Sequence, residues 1–119
     1  MNFDKIKQKN TLLTVVSEGN LFQKLIKQVE KDLELVGITD YFEGNLYPEV
    51  FFSNFKELLT HLIDSQFEIF LHVLYRIDID EYKIREIIAK SQIDVYEEIT
   101  FLILKREWQK VWYKENYSN

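Results

Sequence analysis

The sequence predicts an all-α fold, and three observations carry that reading. One proline and three glycines in 119 residues are too few for a sheet with many tight turns. Apolar residues recur at three- and four-residue steps along most of the chain. Capping residues stand where those patterns begin. The length suits a single domain, residues 1–119, built as a bundle of four or five helices.

The first clear helix spans residues 20–36, with Leu21, Phe22, Leu25, Ile26, Val29, Leu33 and Val36 on one face. Asn20 reads as its N-cap with Gln23 three residues on, and Gly37 as its stop. Thr39-Asp40 and Gly44-Asn45 mark a loop over residues 38–47. Pro48 opens a second helix running to about Ile63. Its stripe is Phe51, Phe52, Phe55, Leu58, Leu59, Leu62 and Ile63. Ser65-Gln66-Phe67-Glu68 reads as a capping box for a third helix carrying Phe67, Phe70, Leu71 and Leu74. One long kinked helix is the alternative there.

Asp80 is the expected N-cap of a fourth helix over residues 81–90, with Ile79 and Ile84 as a hydrophobic staple. Ile84, Ile87 and Ile88 are expected to face inward. Asp94 with Glu97 caps the last helix, which runs to about Tyr113. Residues 1–17 are ambiguous: Thr11 to Val16 has strand-like composition, yet Phe3, Ile6 and Leu13 fit a helix. A lone strand has no partner, which leaves a short helix or an extended N-terminal arm. The expected core holds Leu25, Val29, Phe55, Leu59, Leu62, Phe70, Leu74, Ile84, Ile88, Ile99 and Leu102.

Twenty acidic and fifteen basic residues give a net charge of −5, which disfavours non-specific contact with nucleic acid. The charge is uneven: residues 36–104 hold thirteen acids and five bases, residues 105–119 four bases and two acids. The absence of cysteine excludes disulfides, thiolate zinc sites and cysteine nucleophiles. No apolar run has the length of a signal peptide or a membrane span, so the cytoplasm is the expected compartment and a membrane is not an expected partner.

Two similar segments are the sharpest chemical pattern. Glu57 with His61, and Glu68 with His72, each set a carboxylate and an imidazole one helical turn apart. Bundle metal sites use Glu-x-x-His at a spacing of three, plus further glutamates such as Glu97 or Glu98 would have to supply. The spacing here is four, which favours an ordinary pair on a solvated helix face. No resident metal or cofactor is expected, and a metal-dependent enzyme using Glu57, His61, Glu68 and His72 is kept as an alternative. Asp78-Ile79-Asp80 begins like a calcium loop but continues with Tyr82 and Lys83 and reaches Ala89 at its twelfth position, so the match fails.

The C-terminal segment mixes Lys105, Arg106, Lys110 and Lys114 with Trp108, Trp112 and Tyr113, a combination that can meet phosphates and stacked bases. It also fits a helix end that favours cations and buries its rings. One stripe of the last helix runs through Val95, Ile99, Leu102, Ile103, Arg106 and Tyr113. A second runs through Phe101, Leu104, Trp108, Val111 and Trp112. Two stripes mean either a central helix or a face that meets another chain. The expectation favours the latter: a two-fold homodimer anchored by Phe101, Leu104, Trp108, Val111 and Trp112.

The segment Leu74-Tyr75-Arg76-Ile77-Asp78-Ile79 lies between "LIDSQFEIFLHV" and, after a capped helix, "LILKREWQKVW". Over residues 55–112 this pattern resembles a set of short uncharacterised bacterial all-α proteins. The resemblance implies a helical fold and no activity, and it marks Arg76 and Asp78 as candidates for a shared role or a structural clamp. The function expected from the whole sequence is a non-enzymatic protein-interaction or regulatory module. Its partner is expected to be a protein, a second copy of the chain included; nucleic-acid binding through the C-terminal helix is the alternative.

Overall fold

Six α-helices and one 3-10 turn, with no strand, make up the regular structure of the described residues. The computed structural model describes residues 1–44, 46–90 and 94–117; Asn45 of the expected loop lies outside them. After the 3-10 turn, Phe3–Lys5, come α1 (Lys9–Glu18), α2 (Phe22–Glu34), α3 (Pro48–Ser65), α4 (Phe67–Ile77), α5 (Glu81–Lys90) and α6 (Val95–Tyr117). The radius of gyration is 13.7 Å, close to the roughly 13.5 Å of a folded domain this long.

Six helices exceed the four or five expected because the N-terminal segment is helical. Leu12, Leu13 and Val16 are buried on one face of α1, so a composition that suits a strand is folded by burial into a helix. Asn20 does not cap α2. It adopts the left-handed conformation in the turn between α1 and α2, and α2 starts at Phe22 with no side-chain cap. Gly37 does close α2. Ile38 N–H reaches Leu33 O and Gly37 N–H reaches Glu34 O, a Schellman arrangement that needs the positive φ of +88° at Gly37.

The expected capping box at Ser65 does not form. Ser65 ends α3, and Gln66 is the single non-helical residue before α4, with no side-chain cap there. Asp78 closes α4 with the same bonding that Gly37 uses, in a left-handed conformation at φ 67°. Its side chain is exposed and lies 3.5 Å from Arg106, while Arg76 is exposed.

Asp80 caps α5 as expected, its Oδ1 accepting from Tyr82 N–H at 2.9 Å. Removing that acceptor by Asp80→Ala is expected to destabilise the protein by about 0.5–2 kcal/mol in urea unfolding, whereas Asp80→Asn is expected to be nearly silent. Equal losses in both variants would mean that the charge, not the cap, is what matters. Asp94 caps α6 through Glu97 N–H at 3.1 Å and also pairs with Lys56 of α3. The Lys56 hydrogen bond leads in holding its carboxyl below the usual range.

The core gathers around α6, which touches all five other helices. Of the expected core, Ile88 is 44% exposed and Leu102 half-buried, while the rest are buried. On α5 only Ile84 reaches the interior fully, because a short helix at the edge of a bundle needs only a narrow apolar stripe. No helix among the described residues is long and apolar enough to cross a membrane.

Candidate functional site

The residues buried along α6 are Ile99, Thr100, Ile103, Leu104, Glu107, Trp108 and Val111. Leu104, Trp108 and Val111 of the expected dimer stripe are therefore core residues of the single chain. The expectation that they anchor a second copy is corrected, since side chains already packed against α6's own neighbours offer no area to a partner. Phe101 and Trp112 remain half-exposed. Phe101 joins Leu102 and Ile87 in a cleft of about 640 Å3 beside the N-terminal segment. Trp112 packs edge-on against Phe3, with ring centres 5.8 Å apart.

The basic and aromatic C-terminal segment does not form one surface. Trp108 is 1% exposed and cannot stack on a base. Lys105 donates to Ile6 O at 2.8 Å, Arg106 bonds Gln109, and Lys110 is held by buried acids. The residues of the metal alternative fare similarly: Glu57, His61, Glu68 and His72 are all exposed on α3 and α4. Among the described residues, no three of the side chains that hold metals converge.

Sequence reasoning passed over the most unusual chemistry, which lies between α2 and α6. Glu107 is fully buried and Asp32 is 5% exposed. Lys110 Nζ lies 2.6 Å from Asp32 Oδ2 and 3.0 Å from Glu107 Oε1, and Gln28 Nε2 donates to Asp32 Oδ2 at 3.1 Å. Despite the close ammonium, neither oxygen of Glu107 has a well-directed hydrogen bond to accept. A proton on Glu107 would let it donate to the neighbouring Asp32 carboxylate. Burial, then the hydrogen bond to Asp32 and its charge, outweigh Lys110 and push the Glu107 carboxyl up to about 9. Burial also raises Asp32, but hydrogen bonds from Glu107, Lys110 and Gln28 outweigh it and leave that carboxyl below its usual value. The two shifts run in opposite directions, so protonation is favoured at Glu107 and charge at Asp32, beside the Lys110 ammonium.

The signal for this pair was present in the sequence. Asp32 follows Val29 by three positions and Glu107 follows Leu104 by three, so both acids stand in register with apolar stripes. A charged residue at a core position is rarely left unpaired.

Above this network an open cleft of about 300 Å3 runs between α2 and α6. Lys24, Lys27, Gln28 and Lys31 of α2 line one wall, and Val111, Lys114 and Glu115 of α6 the other. The three α2 lysines share a face because their spacing of three and four follows the helical turn. Lys24 is paired with Glu115. Among the described residues, Lys27, Lys31 and Lys114 have no carboxylate partner. Four ammonium groups against one carboxylate, among the described residues, make the cleft a concentrated positive patch on a chain of net charge −5. Against known proteins, no family model, no curated protein and no solved structure matches this chain.

Proposed function

We propose that this chain is a non-enzymatic interaction module that docks an acidic protein segment in the α2–α6 cleft. The observation that carries the reading is the set of four lysines from two helices around one open cleft on an otherwise acidic chain. Ammonium groups held side by side repel each other, and a partner that brings carboxylates removes that repulsion. The three α2 lysines span eight residues, about 10 Å of helix from first to last, which matches two or three acidic side chains on a short segment. Glu107, the one strongly perturbed carboxyl among the described residues, is sealed from the surface, where it has no access to a substrate.

Fluorescence anisotropy with a labelled oligoglutamate peptide tests the reading. Binding is expected to weaken as salt rises. The Lys27→Glu/Lys31→Glu variant is expected to lose at least about ten-fold in affinity while keeping its helical circular-dichroism spectrum, because both positions are exposed. Equal affinity in wild type and variant would overturn the proposal. Tighter binding of a single-stranded oligothymidylate would replace it with a nucleic-acid reading.

A further inference from the structure

From the same cleft we infer that Glu115 is a built-in competitor for the acidic partner, occupying one lysine until a partner carboxylate displaces it. The inference rests on the docking role proposed for the cleft. Glu115 is the one acid in the cleft lining, and its carboxylate is bound to Lys24 across the gap between α6 and α2. A carboxylate in the last turn of a helix sits against the negative end of the helix dipole, so its own helix does not favour it there. What it gains is Lys24 and the start of α2, where the dipole is positive and no side chain caps the free N–H groups. A partner carboxylate finds the same attractions.

The contact is also easy to break. Residues 113–117 of α6 are all exposed, and the side chains of Lys24 and Glu115 are 57% and 32% exposed. Exposed ion pairs of this kind are weak, which makes Glu115 a competitor that a partner can displace. Its effect is to raise the threshold for binding: a single stray carboxylate gains little over Glu115, whereas a segment that also engages Lys27, Lys31 and Lys114 gains the whole cleft.

Oligoglutamate binding to four variants tests this. Glu115→Gln is expected to bind about two- to five-fold more tightly than wild type, the range set by an exposed ion pair. Glu57→Gln makes the same change in net charge on exposed α3, away from the cleft, and is expected to gain less than Glu115→Gln. In a Lys24→Gln background the gain from Glu115→Gln is expected to shrink toward that of Glu57→Gln, because the pair it breaks is already gone. Equal affinity in wild type and Glu115→Gln, or an equal gain from Glu57→Gln, would overturn the competitor role while leaving the cleft as a docking site. No binding to either wild type or Glu115→Gln would overturn the docking role as well.

Discussion

Trp108→Ala is expected to lower folding stability by about 3–5 kcal/mol, the usual loss for a large aromatic side chain cut from a packed interior. Trp108 is the largest side chain in the core and is 1% exposed. The N-terminus and the turn after α1 close over it. Its Nε1–H points to Met1 Sδ at 3.3 Å, and a Cβ at Gly19 would lie 3.8 Å from its Cη2. Those contacts join segments from the two ends of the chain, so truncation leaves a cavity that local relaxation cannot fill. Urea unfolding with the slope held constant measures the loss. A change below about 1 kcal/mol with weakened self-association in sedimentation would return Trp108 to an interface role.

Glu107→Gln is expected to stabilise the protein at neutral pH, an uncommon direction for a change at a fully buried residue. In the unfolded chain the Glu107 carboxyl titrates at the usual 4.5, whereas in the folded protein burial and Asp32 hold it at about 9. Between those values the folded state keeps a proton that the unfolded state has released. Stability therefore falls as pH rises through that window, by about 1.4 kcal/mol per unit, and levels off above it. Glutamine supplies the same donor to Asp32 without a proton to lose, and it leaves Lys110 paired with Asp32. The gain at pH 7 is expected to be about 2–3 kcal/mol, smaller near pH 5 and larger near pH 9. Urea unfolding across that range measures it. A variant less stable than wild type at every pH would mean that Glu107 is ionised and serves as the counter-charge of Lys110.

The legible part of the fold was local. Pro48 at the start of α3, Gly37 at the close of α2 and the aspartate caps at Asp80 and Asp94 stand where the sequence pattern put them. Each depends on atoms within a few residues of one another. Expectations went wrong where two local signals competed. Ser65 satisfies the pattern of a capping box, but the apolar face of α3 carries the helix through it, and the break falls at Gln66. Asn20 suits both an N-cap and a left-handed turn, and the turn joining α1 to α2 takes it. Thr11–Val16 takes the short helix that was one of the two expected forms, its β-branched composition yielding to burial of Leu12, Leu13 and Val16.

The sequence by itself determined that this chain is helical, where most of its helices begin, and which residues are apolar enough to seek an interior. Those properties follow from a period of 3.6 residues and from caps, both written in neighbouring positions. Only the tertiary structure decided that α6 is central, and with it that Leu104, Trp108 and Val111 are core while Phe101 and Trp112 stay half-buried. A periodic pattern shows that a face will be covered but not by what. The same holds for the candidate site. Asp32 and Lys110 stand 78 positions apart, and Lys24 and Glu115 91 apart. Their meeting is set by how α2 docks on α6, and that docking depends on the summed burial of the whole apolar core.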